Sequence, residues 1–322
     1  MRAVQVTKLG GPESLELVEV NEPEPRDGEV LIDVHAAGVS FPDLLLSRGE
    51  YQLKPNPPFT SGAEVAGIVR SAPEGAHVAA GDRVLAITGL AGFAEVVAAD
   101  TDGVFPLPDS MSFVAGAAIP MNYLTVDFAY SHRGRLIADE TVLIHGAAGG
   151  VGTAGIQLAK ALGARVIAVV STDDKVDVAR TAGADNVVLA DGFKDAAKEL
   201  TNGRGVDVVL DPVGGDRFTD SLRSLAPEGR LLVVGFAGGE IPTVKVNRLL
   251  LNNVEVVGVA WGEYALNHAG YLQRQWERIE PHVASGALDP PIASEYPLAD
   301  AAAAVGELAA RRVQGKIVLT VR

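Results

Sequence analysis

Residues 141–170 read TVLIHGAAGG VGTAGIQLAK ALGARVIAVV, and this stretch decides the fold of one half of the chain. An apolar strand enters a glycine-rich turn, apolar residues then recur at helical spacing up to Gly163, and a second apolar strand follows. Glycines let such a turn approach a pyrophosphate closely, and the first N–H groups of the next helix face the phosphates. The pattern predicts a strand–helix–strand unit that binds a dinucleotide.

The turn itself supplies the first predicted cofactor contacts. Ala147 stands where the dinucleotide fingerprint has its first glycine, and alanine is small enough that only the detailed geometry of the turn is affected. The predicted cofactor-binding residues of the turn are Ala148, Gly149, Gly150 and Val151.

The end of the second strand indicates which dinucleotide binds. An NAD site usually places Asp or Glu there, where a carboxylate binds the ribose hydroxyls and repels an additional phosphate. In this chain the strand ends at Val170 and Ser171, with Lys175 shortly after. Asp173 and Asp174 lie between Ser171 and Lys175, where they either cap the following helix or contact the ribose. Ser171 can donate a hydrogen bond to a 2′-phosphate and Lys175 can supply positive charge. We therefore predict NADPH as the cofactor.

Composition excludes several classes of function. The 322 residues carry a net charge of −14, which opposes binding to nucleic acid or to an anionic membrane. No apolar run approaches the roughly 20 residues of a membrane span, and the first residues lack a signal-peptide core, so a soluble cytoplasmic protein is expected. The chain has no cysteine and only six scattered histidines, so we expect no disulfide, no thiolate catalysis and no bound metal.

Hydrophobic patterning predicts two domains. Short alternating strands in the first 120 residues predict a β-rich domain, and a helix from about Ser112 to Arg133 leads out of it. Apolar strands then recur until there are six in all, which is typical of a doubly wound parallel sheet. Beyond the first two, they are predicted at residues 186–189, 206–210, 230–235 and 254–259.

The last sixty residues show a different pattern. A helix is predicted near Tyr264 to Glu280, followed by proline-rich turns, a second helix at 299–311 and a final strand at 316–321. We expect this tail to return and complete the first domain.

Seven short motifs are distributed along the chain. They are AAGVSFPD (36–43), SGAEVAG (61–67), GDRV (81–84), AAGGVG (147–152), DPVGG (211–215), VVGF (233–236) and GKIVL (315–319). Taken together they resemble the medium-chain dehydrogenase/reductase superfamily, and within it the zinc-free quinone oxidoreductase group to which zeta-crystallin belongs. The resemblance implies an α/β fold with a GroES-like β-rich catalytic domain, residues 1–121 and 262–322, and a Rossmann domain with a six-stranded parallel sheet, residues 122–261.

The sequence departs clearly from the zinc alcohol dehydrogenase branch of that superfamily. Ser40 stands at the position of the catalytic cysteine, Ala63 replaces the histidine before Glu64, and the cysteine-rich lobe is missing. Without a Lewis acid an alkoxide is poorly stabilised, so the resemblance implies reduction of an electron-poor acceptor rather than oxidation of an alcohol.

The resemblance also implies roles for individual residues. Tyr51 corresponds to a catalytic and cofactor-binding tyrosine of the nicotinamide and substrate cleft, or else is a packed loop aromatic. Asp43 and Ser40 are the other catalytic candidates, although helix capping explains Asp43 equally well. Asn122 and Thr125 match positions that contact the nicotinamide, with helix capping as the alternative. The remaining implied cofactor-binding residues are Gly214, Gly235, Phe236, Val259 and Trp261.

These observations predict an NADPH-dependent reductase that delivers hydride to a quinone or another conjugated carbonyl acceptor. The proton comes from Tyr51 or from water, or its transfer does not affect the rate when the acceptor is a quinone. One alternative is an enoyl-thioester or alkenal double-bond reductase, because a shared fold does not fix the substrate. The other is a protein that binds NADPH without catalysis.

The segment Val254–Val259 predicts a homodimer. It is apolar and β-branched, and as the last strand of an open sheet it would expose a row of unpaired backbone groups. Pairing with a second copy across a two-fold axis satisfies both edges, as the resemblance also implies. The alternative is that the helix near Tyr264 covers the edge.

Overall fold

The structure is a computed structural model that describes all 322 residues. It contains sixteen strands and eleven α-helices. The strands are β1 (Arg2–Val6), β2 (Leu15–Glu19), β3 (Glu29–Val39), β4 (Phe59–Thr60), β5 (Glu64–Ser71), β6 (Arg83–Ile87), β7 (Val96–Asp100), β8 (Val104–Pro106), β9 (Thr141–Ile144), β10 (Arg165–Val170), β11 (Asn186–Leu189), β12 (Val206–Asp211), β13 (Leu225–Val233), β14 (Glu255–Gly258), β15 (Ile292–Pro297) and β16 (Lys316–Thr320). The helices are α1 (Phe41–Arg48), α2 (Phe113–Ala117), α3 (Pro120–Asp127), α4 (Gly150–Ala161), α5 (Val176–Thr181), α6 (Phe193–Leu200), α7 (Phe218–Ser224), α8 (Asn247–Asn252), α9 (Trp261–Leu266), α10 (Tyr271–Ala284) and α11 (Ala301–Ala309).

The chain divides into two compact units. The first unit comprises residues 1–121, 269–280 and 292–322, and the second comprises residues 122–268 and 281–291. The second unit therefore includes two segments outside the predicted range 122–261. Tyr264 packs on Phe128 with ring centroids 5.1 Å apart, and Gln157 exchanges two hydrogen bonds with the main chain of Asp289. These contacts join the additional segments to the second unit.

The second unit is built around a six-stranded sheet in the order β11-β10-β9-β12-β13-β14. Every neighbouring pair is parallel, which confirms the predicted doubly wound sheet. The strands at 165–170 and 186–189 have the predicted bounds. The central strands read as continuous apolar runs because both faces of a parallel sheet are buried.

The first unit contains two sheets. One has the path β15-β16-β3-β5-β6-β8 with β7 paired to β3, and the other has the order β2-β1-β4. β16 pairs antiparallel with β3, so the C-terminal tail contributes a strand to this unit. β4 and β8 have only two and three residues, too few to show an alternating pattern in the sequence.

Two predicted helices are interrupted in the structure. The segment 112–133 forms α2, then α3, then a π-helical stretch at Phe128–Gly134. Pro120 has no N–H to continue a helix from the preceding turn, so a new helix begins there. The segment 264–280 is divided between α9 and α10, with Gly270 between them at φ +69°. None of the helices combines the length and apolar composition that a membrane crossing requires.

Candidate functional site

In the second unit the predicted cofactor-binding segments lie at one edge of the six-stranded sheet. Because the strands are parallel, their carboxyl ends share this edge, and the strand order reverses between β9 and β12. Open α/β sheets bind their ligands at such a reversal. The segments that follow the strand ends contain Gly146 after β9, Ser171 after β10, Gly214 after β12, Gly235 after β13 and Val259 after β14.

The glycine turn after β9 has three different spatial requirements. A Cβ on Gly152 would lie 2.2 Å from the carbonyl oxygen of Gly146, and one on Gly150 would lie 2.5 Å from Nδ2 of Asn122. A Cβ on Gly149 would meet nothing closer than the Gly146 oxygen at 3.4 Å. Gly152 and Gly150 therefore allow the turn to pack closely against its neighbours. Gly149 instead leaves open space beside the first N–H groups of α4. Such a cradle fits a pyrophosphate.

The departure from the fingerprint at Ala147 has little effect on this turn. Ala147 is fully buried, and its N–H donates to the carbonyl of Val169 at 3.2 Å. Gly146 supplies the positive φ of +58° that the turn requires. Ala148 is also buried, while Val151 is half-buried in the first turn of α4.

Asn122 and Thr125 lie one turn apart on α3. The Asn122 side chain is buried and contacts Gly150, so the structure brings it to the glycine turn. Asn122 is the third residue of its helix and Thr125 the sixth, so neither occupies the capping position.

Ser171 and Lys175 meet at the end of β10. Nζ of Lys175 donates to Oγ of Ser171 at 3.1 Å. Ser171 is exposed and Lys175 half-buried. A hydroxyl and an ammonium group on adjacent turns fit a 2′-phosphate.

The loops after β12 and β13 pack against each other. A Cβ on Gly214 would lie 2.9 Å from the ring of Phe236 and 3.6 Å from the carbonyl oxygen of Gly235. The N–H of Gly214 donates to Oδ1 of Asp211 at 2.9 Å. Asp211, a buried residue of the DPVGG motif, was not among the predicted site residues, yet it fixes this loop.

The loop after β14 completes the edge. The N–H of Val259 donates to the carbonyl of Val233 at 3.0 Å, and Trp261 is buried at the start of α9. The structure thus gathers all the predicted cofactor residues of the second unit along the carboxyl edge or on α3.

His145, the residue after β9, has a structural role. It is fully buried, and Nε2 lies 2.8 Å from Oγ of Ser221. The Ser221 hydroxyl donates to the carbonyl of Arg217, so the imidazole is the donor in its bond to Ser221. Burial lowers the pKa of His145 to about 4, so the ring is neutral at physiological pH.

In the first unit Asp43 is a fully buried carboxylate at the beginning of α1. It accepts hydrogen bonds from the N–H of Ser40 at 2.8 Å, the hydroxyl of Ser61 at 3.1 Å and the N–H of Gly62 at 3.1 Å. Burial raises the pKa of Asp43 to about 6, although these hydrogen bonds and the charge of Lys316 oppose the rise. Asp43 therefore holds the start of α1 against the loop at Ser61.

Tyr51 packs half-buried against the core of the first unit. Burial, and secondarily the charge of Asp43, raises the pKa of the Tyr51 hydroxyl, so it keeps its proton at neutral pH. The hydroxyl has no hydrogen-bond partner within the chain and remains available to donate.

Ser40 belongs to a buried network that the sequence did not reveal. Its hydroxyl donates to Oε1 of Glu64 at 2.7 Å and accepts from Nζ of Lys316 at 2.6 Å, while Lys316 and Glu64 form an ion pair. Oε2 of Glu64 accepts the N–H of Met121 at 2.7 Å. Because the only Ser40 proton is already donated to Glu64, this arrangement leaves none for a substrate. The available signal was a charged residue at the start of each of two apolar strands, because a charge that is buried there needs a partner.

The comparisons with known proteins agree with this geometry. Residues 26–109 match the family described as alcohol dehydrogenase GroES-like domain, and residues 150–278 match zinc-binding dehydrogenase. The Bos taurus protein named quinone oxidoreductase-like protein 2 is 36% identical over 325 residues, covering 100% of this chain and 93% of its own. The chain belongs to the quinone oxidoreductase group of the medium-chain dehydrogenase/reductases. The predicted resemblance and the GroES-like assignment are thereby confirmed.

Solved structures are similar to this chain over its whole length. A probable oxidoreductase from Mycobacterium abscessus is 46% identical with a TM-score of 0.91, covering 100% of this chain and 99% of the other. The quinone oxidoreductase of Escherichia coli, solved in complex with NADPH, is 32% identical with a TM-score of 0.90, and both chains are covered completely. In this chain, no group of three or more His, Asp or Glu side chains is placed so that it could hold a metal ion.

The buried carboxyl group of Asp43 predicts that the free energy of unfolding of this chain depends on pH. Its pKa is about 6 in the folded chain against an ordinary 3.8, so the folded chain holds an additional proton between about pH 4 and pH 6. The stability that Asp43 contributes is complete below pH 4 and is lost as the pH rises through 6. We expect the stability advantage of wild type over Asp43→Asn to fall by roughly 2 kcal/mol between pH 4 and pH 7. Urea unfolding of both proteins at each pH measures it, and a constant difference would contradict the prediction.

Proposed function

We propose that this protein is an NADPH-dependent oxidoreductase that reduces quinones or similar conjugated carbonyl acceptors without zinc. The observation that carries the proposal is the open space at Gly149 in the turn at the sheet reversal. The Ser171–Lys175 pair at the end of β10, with no carboxylate at that strand end, supports NADPH rather than NADH. The NADPH complex of the Escherichia coli quinone oxidoreductase supports the same cofactor.

Each group of residues has a proposed part in binding and chemistry. Bound NADPH supplies a hydride from its nicotinamide ring. The first N–H groups of α4 hold the pyrophosphate, and Asn122 with Thr125 orients the nicotinamide end. Tyr51 is the proposed proton donor, because its hydroxyl is protonated and has no partner within the chain. Asp43 and the Ser40–Glu64–Lys316 network position the loops of the first unit.

The proposal is tested by NADPH oxidation against a panel of acceptors. Benzoquinone and naphthoquinone represent the proposed class, and crotonyl thioester and an alkenal represent the alternative reductase. We expect the quinones to be reduced and the activity to persist after exhaustive chelation. Reduction of only the thioester or alkenal would identify the protein as a double-bond reductase. Tight NADPH binding without reduction of any acceptor would indicate a protein that binds NADPH without catalysis. Stoichiometric zinc in the purified chain would contradict the zinc-free assignment.

Lys175→Ala should change cofactor preference. It removes the ammonium group that contacts Ser171, and a charged hydrogen bond of this kind contributes about 1.5–3 kcal/mol. We expect NADPH affinity to fall by about ten- to hundredfold while NADH affinity changes little. Fluorescence titration with both cofactors measures the two constants. An equal loss for the two cofactors would show that Lys175 acts through stability instead.

We further propose a homodimer through the edge of β14. β14 pairs only with β13, so the opposite edge is open within the chain. The N–H of Val259 points toward β13. Backbone groups of successive residues point to opposite sides of a strand, so the backbone N–H and C=O groups of Val256 and Gly258 point outward. Arg133 already donates to the Gly258 carbonyl at 2.9 Å, which leaves Val256 to carry the pairing with a second copy.

Val256→Pro should therefore give a monomer, because it removes the outward N–H of the edge. Val256→Thr keeps the N–H and a β-branched side chain and should remain dimeric. Light scattering at micromolar concentration measures the mass of each protein. A monomeric wild-type chain would contradict the proposed dimer.

A further inference from the structure

A cavity of about 470 Å³ opens in the second unit beside the end of β11. It is lined by residues 190–195 on one side and by Asp216, Arg217 and Asp220 on the other. The N–H of Ala190 donates to the carbonyl of Val170 at 2.8 Å. Ala190, which lines the cavity, is therefore joined to the residue that directly precedes Ser171.

Arg217 is the unexplained group in this cavity. Its side chain is half-buried, and its guanidinium has no hydrogen bond or ion pair within the chain. Four aspartates line the same cavity, but none of them pairs with Arg217. Oδ1 of Asp195 instead lies 3.3 Å from Nζ of Lys194, and Oδ1 of Asp220 lies 3.1 Å from Nη1 of Arg223.

The helix that follows Arg217 supplies no partner for its side chain. Arg217 ends the helical turn Gly215–Arg217, which leads directly into α7, and its side chain makes no capping bond. A half-buried guanidinium without a hydrogen-bond partner in the chain has donors left for an anionic ligand.

We propose that Arg217 binds the 2′-phosphate of NADPH from the cavity side and is a specificity-determining residue. This inference rests on the proposed function. A guanidinium binds phosphate through paired hydrogen bonds, which an ammonium such as Lys175 cannot do. Ala190 has only a methyl side chain and fills little of the cavity at the end of β11. Asp191 and Asp216, which have no ion-pair partner, would repel the phosphate if Arg217 were removed.

The test compares two small probes that differ in the 2′-phosphate. Adenosine 2′,5′-bisphosphate and adenosine 5′-monophosphate are titrated calorimetrically into wild type and Arg217→Gln. We expect Arg217→Gln to bind the bisphosphate at least about tenfold more weakly and the monophosphate within about twofold of wild type. Arg217→Lys should recover only part of the lost bisphosphate affinity, because a lysine restores the charge but not the paired N–H donors of a guanidinium.

Arg223→Gln is the matched control, since Arg223 lies on the same helix with an exposed ion pair. It should bind both probes like wild type. Thermal unfolding checks that Arg217→Gln is folded. An equal loss for both probes, or no loss for either, would overturn the role of Arg217 while the NADPH preference of wild type stands. A wild-type chain with no preference for the bisphosphate would instead overturn the proposed cofactor.

Discussion

Gly149→Ala is expected to fold with wild-type stability and to bind NADPH at least about a hundredfold more weakly. The new Cβ would meet only the Gly146 oxygen at 3.4 Å, an ordinary contact, and Gly149 has φ −85°, which alanine adopts readily. The methyl group would occupy the space where the turn leaves the first N–H groups of α4 open. Loss of two charge-assisted hydrogen bonds to the pyrophosphate costs about 3 kcal/mol, which corresponds to roughly a hundredfold. Calorimetric titration and thermal unfolding measure the two properties separately.

Two other glycines provide the controls for this experiment. Gly152→Ala places a Cβ 2.2 Å from a carbonyl oxygen and should lose stability as well as affinity. Gly306→Ala, in α11, meets nothing within 4 Å and should leave NADPH affinity unchanged. If Gly149→Ala bound NADPH with wild-type affinity, the pyrophosphate would not approach the turn at Gly149.

Lys316→Met should destabilise the chain by about 3–5 kcal/mol. Lys316 and Glu64 are 4% and 0% exposed, and removing one member of a buried ion pair leaves the other charge without compensation. The double variant Glu64→Gln/Lys316→Met removes both charges and should be less destabilised than Lys316→Met alone. Urea unfolding of the three proteins measures the free energies.

An exposed ion pair provides the comparison. Lys160 and Asp185 are 2.9 Å apart with 38% and 36% of their side chains exposed. Lys160→Met should lower the free energy of unfolding by at most about 1 kcal/mol, because water screens the attraction between the two exposed charges. If Lys316→Met were no more destabilising than Lys160→Met, the buried network would not be important for the stability of the first unit.

The sequence by itself determined the sheet of the second unit. The apolar runs and the glycine turn predicted its six strands and parallel sheet, because both depend on local spacing and on residues with no Cβ. It also predicted the Ser171–Lys175 pair, whose members lie four residues apart. Helix boundaries were less accurate: the helical pattern continues past Pro120 and Gly270, but backbone geometry interrupts it at both.

Only the tertiary structure decided which polar residues meet inside each unit. Lys316 and Ser40 are 276 positions apart, and they touch because β16 pairs with β3. Arg217 reaches the cavity beside Ala190 because β11 and β12 each lead into a loop at the same sheet edge. Periodicity reports which face of an element is buried, but not which distant element covers it. The partners of a buried charge therefore follow from strand order and register, which local spacing does not encode.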